Sequence, residues 1–195
     1  MYFVFLKPLK SFIKGVGQPD YMKVICITGT PGTGKTTLAR ILSKKAKYKY
    51  LDVNKIVIKH GLSEGYDRER KTSVIDVNKL NKALLKEIDF YKKEKQKGVV
   101  IDSHLSHYLP KRYVDVCIVA KCSLKVLESR LKKKGYGKDK VRENLDCEIF
   151  DVCLNEAMEE GHDVTVIDMS KIAKDAIFEH IRNFLKESFL HNKRH

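Results

Sequence analysis

The sequence predicts an α/β domain with a mostly parallel sheet covered by helices, and three observations carry that prediction. Residues 24–27, Val-Ile-Cys-Ile, form a continuous apolar run of the kind found in a central strand buried on both faces. The run passes straight into a glycine-rich turn and then into helical spacing. Short apolar strands then alternate with amphipathic segments to the end of the chain, the order that builds a parallel sheet between helices.

Each element follows in order. A helix is expected over 36–47, where Leu38, Ala39, Ile41, Leu42 and Ala46 recur at helical spacing. Residues 48–53 suit a short strand, and 54–75 read as a short helix followed by a polar loop marked by GLSEGYD. A long amphipathic helix over 77–95 carries Leu80, Leu84, Leu85, Ile88 and Tyr91 on one stripe. Strands are expected at 98–102 and 114–120, and Ser123 is placed to cap a helix ending near Lys134. The Gly135-Tyr136-Gly137 break leads to one helix over 139–160, ended by Gly161. A last strand at 164–168 precedes Ser170, read as the cap of a final helix reaching about residue 189.

The chain has 195 residues, enough for one domain with a sizeable core, and neither a linker nor a repeat interrupts it. Residues 1–21 hold two prolines and two glycines without a clear period and read as a poorly ordered extension, with Met22 a candidate translation start. They lack the basic start and small-residue cleavage site of a signal peptide. Residues 191–195 read as a basic tail. No apolar run approaches 18 residues, which excludes a spanning helix from the expectation. Five cysteines without any CxxC spacing read as small core residues in a reducing, cytoplasmic setting. Lys and Arg total 39 against 25 acids, a net charge of +14. A charge of this sign attracts nucleotides, RNA or anionic surfaces, and it equally describes a solvated lysine-rich surface.

The chemistry is concentrated at GTPGTGKT, residues 29–36, which fits the phosphate-binding pattern G-x-x-x-x-G-K-[ST]. Glycines let the backbone curl so that its N–H groups converge on an anion, and the following helix adds its positive end. Lys35 is placed to reach the β and γ phosphates, and the Thr36 hydroxyl to ligate Mg²⁺. Asp102 ends a strand where a carboxylate can hold Mg²⁺, and His104 is placed to orient or deprotonate an attacking water. His107 reads as a surface residue. Arg130, Lys132, Lys133, Lys134, Lys138, Lys140 and Arg142 read as a cationic flap over transferred phosphates.

Together these residues resemble one family, the adenylate-kinase-like NTPases of small-subunit ribosome biogenesis, the CINAP or adenylate kinase isoenzyme-six type, in an archaeal-like form. The resemblance covers about residues 23–190. It rests on GTPGTGKTT at 29–37, GYD at 65–67, VIDSH at 100–104, RLKKKGY at 130–136 and, most discriminating, ENLDCEIFDV at 143–152. It implies a P-loop NTPase fold of nucleoside monophosphate kinase type, with five parallel strands and helices on both faces. It further implies an acceptor-binding segment near 52–75 and a lid near 133–143. ATP would contact Gly32, Gly34, Lys35, Thr36, Thr37 and Lys134. The implied activities are Mg²⁺-dependent adenylate kinase (ATP and AMP to two ADP) and ATPase. The implied partners are a small-subunit ribosomal protein of the platform region and rRNA during its maturation. Lys134 stands where the family often has Arg, and Ile58 where relatives commonly carry a basic residue, which weights the expectation toward ATP hydrolysis. Arg68 and Arg70 are the candidates to compensate.

Overall fold

The computed structural model describes residues 22–67 and 72–170. The expected extension at 1–21, the final helix, the tail at 191–195, and Arg68 and Arg70 lie outside the described residues. Along the chain run β1 (Lys23–Thr28), α1 (Lys35–Ala46), β2 (Lys49–Asp52), α2 (Val53–His60), β3 (Ser63–Asp67), β4 (Thr72–Ile75) and α3 (Val77–Lys93). β5 (Gly98–Asp102), β6 (Val116–Lys121), α4 (Leu124–Lys133), α5 (Lys138–Ile149), α6 (Val152–Glu159) and β7 (Val164–Asp168) follow. Two short 3₁₀ turns, Ser106–Tyr108 and Lys111–Tyr113, link β5 to β6.

Five strands form a parallel sheet in the order β2-β5-β1-β6-β7, as the resemblance implied. β1 lies at its centre because Val24–Ile27 leave no face suited to water, and β5 is buried along its whole length for the same reason. Parallel strands need long crossovers, which the helices supply. On one face Val24, Cys26, Val99, Ile101, Cys117 and Val119 pack with Leu80, Ala83, Leu84 and Ile88 of α3 and Ala157 of α6. The alternate positions, Ile25, Ile27, Val100 and Ile118, are buried as well, and α1 packs on β1 and β5 through Leu38 and Leu42. Both faces are therefore dry, and the strands' carboxyl ends are the place left for a ligand.

Helix starts follow local chemistry in α2 and α3. Asp52 accepts a hydrogen bond from the amide of Asn54 at 3.1 Å, and Asp76 accepts from the amides of Asn78 and Lys79. α1 begins without a side-chain cap, directly on the left-handed Gly34.

Four expectations are corrected. The segment read as a polar loop holds the antiparallel hairpin β3–β4, with a register shift between Ser63 and Gly65; Gly61 ends α2 instead of opening a loop. The helix expected over 139–160 is two helices, broken at Phe150 and Asp151, where Asp151 takes a left-handed φ of 54°. Asp is among the few residues that enter that region readily, so no glycine or proline marks the break. Its carboxylate pairs with Lys121 at the end of β6, and the Asn155 amide donates to the Phe150 carbonyl, which holds the turn. Ser123 sits at the start of α4 but its hydroxyl caps nothing; its amide donates to the Ser170 hydroxyl at 2.6 Å. His107, read as a surface residue, is fully buried.

Among the described residues no helix is long and apolar enough to cross a membrane. Leu84→Ala should empty a fully buried position between α3 and the sheet and cost about 2–5 kcal/mol. A urea titration would read this as a lowered midpoint with an unchanged slope; an unchanged midpoint would contradict the assigned packing.

Candidate phosphate-binding site

The loop between β1 and α1 turns inside a narrow space. A Cβ at Gly29 would lie 2.3 Å from the carbonyl oxygen of Ala120 on β6, and Gly29 has a φ of 131°. Gly34 has a φ of 114°, which starts α1 with its axis aimed back into the turn. Both conformations are strained for any residue with a side chain. Gly32 backs onto Leu127 and Leu131 of α4.

Inside the turn, the Thr30 carbonyl accepts from the Thr33 amide at 3.2 Å, the Thr33 hydroxyl at 2.9 Å and the Lys35 ammonium at 3.0 Å. Arg130 donates to the carbonyls of Thr33 at 2.8 Å and Met169 at 2.9 Å. The Thr30 and Thr33 carbonyls are thus satisfied on the protein side of the loop. Among the described residues, the amides of Gly32, Gly34, Lys35, Thr36 and Thr37 meet no protein acceptor. That polarity makes an anion nest joined to a helix N-terminus. Thr36 and Thr37 are exposed in the first turn of α1.

Asp102 ends β5 in register with Ile27 of β1 and Asp52 of β2 and is buried. Its Oδ2 accepts a hydrogen bond from the Tyr50 hydroxyl at 2.7 Å, which leaves the carboxylate oriented by a neighbouring strand. Burial, then this bond to Asp102, raises the Tyr50 phenol well above its usual range, so it stays a donor. The guanidinium of Arg40 lies 5.6 Å over the Tyr50 ring.

Lys35 and His104 share one field. Burial lowers the Lys35 ammonium to about 8, against the opposing pull of Cys153 and Asp102, while Lys134 pushes it further down. His104 is exposed at the surface just past β5. Desolvation first, then Lys35 and His107, holds it below its ordinary value, so it is neutral at pH 7. Asp102, His104 and Lys134 thus each lie within electrostatic reach of Lys35.

Other expected members of the site are placed differently. Arg130 is withdrawn from the flap and braces the loop's carbonyls. Lys132 pairs with Glu128 and Arg142 with Asp146 along their own helices. The turn itself is residues 134–137, with Lys140 4.9 Å over the Tyr136 ring, and 138–143 already belong to α5.

Three contributors escaped the sequence reading. Tyr50 lay in a short strand with nothing to distinguish it. Glu148, inside the ENLDCEIFDV run, is buried beside the loop and accepts from the Thr30 hydroxyl at 2.6 Å, a contact that no spacing in that run encodes. His107 stands between Thr28, whose hydroxyl is 2.7 Å from Nδ1, and Glu156, 3.1 Å from Nε2. Burial, then His162, lowers its pKa to about 4, and a neutral ring fits one arrangement, Nε2–H donating to Glu156 and Nδ1 accepting from Thr28.

The donors offered to a cation are hard oxygens, the exposed Thr36 hydroxyl and the Asp102 carboxylate. Among the described residues no group of three His, Cys, Asp or Glu side chains gathers to hold a metal alone. So sparse a set fits Mg²⁺, which keeps waters and substrate phosphates in its shell, and does not fit a structural metal.

A parallel sheet with this loop at its centre defines a P-loop phosphotransferase. Among solved structures, the shikimate kinase from Acinetobacter baumannii matches with a TM-score of 0.56 at 16% identity, over 90% of this chain and 97% of that one. A sugar kinase from Janibacter sp. matches with a TM-score of 0.59 at 13% identity, over 88% of this chain and 98% of the other. At such identities these likenesses establish the fold alone. The family described as "AAA domain" matches residues 25–151. A Thermococcus kodakarensis protein named "Putative adenylate kinase" is 36% identical over 84% of this chain and 85% of its own length. The "Adenylate kinase isoenzyme 6 homolog" of Dictyostelium discoideum is 34% identical over 74% of this chain and 79% of its own. The chain belongs to the family of adenylate kinase isoenzyme 6 homologues.

Lys35→Ala is expected to reduce nucleotide turnover at least about a hundredfold, the scale of losing one preorganised charge at a phosphate. A lysine whose pKa has fallen to about 8 loses its charge as pH rises through that value. kcat/KM for ATP should therefore decline on an alkaline limb near pH 8, since that parameter reports the free enzyme. A profile flat to about pH 10 would contradict the environment assigned to Lys35.

Proposed function

We propose that this protein transfers the γ-phosphoryl group of ATP to AMP, giving two ADP, and more slowly to water. The observation that supports the reading is the loop at 29–36, where the amides of Gly32, Gly34, Lys35, Thr36 and Thr37 meet no acceptor among the described residues while the Thr30 and Thr33 carbonyls are tied back. The names of the relatives support ATP and AMP as the substrates. In transfer, an AMP phosphate oxygen bonds to the γ phosphorus as the bond to the β-bridging oxygen breaks, and that oxygen leaves on ADP. Lys35 and the amides of Gly32, Gly34, Thr36 and Thr37 stabilise the charge spread over the transferred group, and Lys134 closes over it. Thr36 and Asp102 would hold Mg²⁺, which when bound neutralises phosphate charge. AMP would enter by α2 and the β3–β4 hairpin, beside β2. Ile58 there is 80% exposed and supplies no cation, which limits AMP affinity.

His104 divides the two reactions. The AMP phosphate attacks as an anion and needs no base, whereas water must lose a proton, and a neutral imidazole can take it. This favours a second reading in which hydrolysis is the working reaction, switching an assembly factor in the cytoplasm between states that hold and release its partner. The charge of +14 supports an anionic partner, and the family resemblance points to small-subunit rRNA maturation and a ribosomal protein of the platform.

ATP and AMP mixed with the enzyme and Mg²⁺ should yield ADP in excess of phosphate; ADP and phosphate formed in equal amounts, with AMP unconsumed, would leave only the switch. His104→Ala should lower phosphate release about a hundredfold while ADP formation from AMP and ATP affinity change little. Equal loss of all three would remove its role with water. Binding to the platform ribosomal protein should respond to ATP; nucleotide-independent, salt-labile binding would reduce the interaction to charge attraction.

A further inference from the structure

Glu148 lies near the end of α5, the helix that begins where the 134–137 turn ends, and is only 6% exposed. Both of its oxygens are used. Oε2 accepts from the Thr30 hydroxyl at 2.6 Å, and Oε1 from the Cys122 amide at 3.0 Å, just past β6. Thr30 is the residue whose carbonyl gathers Thr33 and Lys35. One residue thus shapes the loop with its carbonyl and is held from outside through its hydroxyl. One turn further on, Asp151 pairs with Lys121, so the end of α5 is fastened to the end of β6 on both sides of the break.

We propose that Glu148 is a positioning residue that sets the shape of the phosphate loop through Thr30 and ties it to the helix carrying the lid. The proposal rests on the ATP reading of the loop. The hydrogen bonds of Glu148 go to Thr30 and Cys122, and its charge is also felt by Lys35. It fixes Thr30, Thr30 fixes the curl of the backbone, and the curl determines whether the amides converge on the β and γ phosphates. Because α5 runs from the lid to Glu148, movement of the lid and order in the loop are linked by one rigid element. A buried carboxylate suits this task. It accepts two hydrogen bonds at once from donors that would otherwise be left unpaired, and a glutamine in the same volume can accept with one oxygen only.

The test uses the full chain and four variants, Glu148→Gln, Thr30→Val, Thr30→Ser and the double change Glu148→Gln with Thr30→Val. Affinity for ATP is measured by calorimetry, KM for ATP and AMP by initial rates, and folding by Tm. Glu148→Gln and Thr30→Val should each weaken ATP about tenfold, the scale of a lost hydrogen bond to a charged group, with KM for AMP unmoved. The double variant should be no worse than either single one, because both remove the same link. Thr30→Ser, which keeps the hydroxyl, should bind ATP more tightly than Thr30→Val. Additive losses, or a lowered Tm with unchanged ATP affinity, would overturn the positioning role and leave Glu148 as a packing residue. Should Glu148→Gln fail to fold, the comparison of Thr30→Val with Thr30→Ser decides alone, since equal affinities there overturn the proposal. Failure of the unaltered chain to bind ATP at all would remove the nucleotide reading itself and this proposal with it.

Discussion

The turn at 29–36 can face an anion only because its carbonyls are satisfied from behind. A backbone that points its amides one way points its oxygens the other, and buried oxygens require donors. Thr33 and Lys35 supply them to Thr30, and Arg130 supplies them to Thr33 and Met169. Take these donors away and the curl has no reason to persist. The site is therefore as much a property of α4 and its arginine as of the glycines.

The sheet makes the second contribution. Five parallel strands, dry on both faces, bring their carboxyl ends to one side, and β1 at the centre delivers the loop there. Its neighbour β5 brings Asp102 to the same level, one register position from the end of β1. Close packing also limits what the loop may contain, since a side chain at Gly29 would enter the backbone of β6. Fold and site are thus coupled through contacts of backbone with backbone, which tolerate little change.

Electrostatics completes the arrangement. Lys35 is held charged but poorly solvated, so a triphosphate gains more from it than from a lysine in water. The same field keeps His104 neutral, and the Tyr50 hydroxyl holds the buried Asp102 carboxylate at the end of β5. A cationic loop at the carboxyl ends of the strands suits a phosphotransferase.

By itself the sequence determined the α/β class, the P-loop and an acid, Asp102, at the end of a strand, because these depend on local patterns: a dry strand and glycines where the backbone must curl. The long stripe of α3 was legible for the same reason, its period being carried by Leu80, Leu84 and Ile88. Only the tertiary structure decided that Arg130 braces the loop and does not cover it, that His107 is buried between Thr28 and Glu156, and that Glu148 meets Thr30 across 118 positions of chain. These are pairings between distant segments, and no spacing along one segment encodes them. The break at Asp151 and the β3–β4 hairpin were hidden for a related reason. An aspartate in a left-handed turn and a short two-stranded ribbon both lack the apolar period by which elements are read.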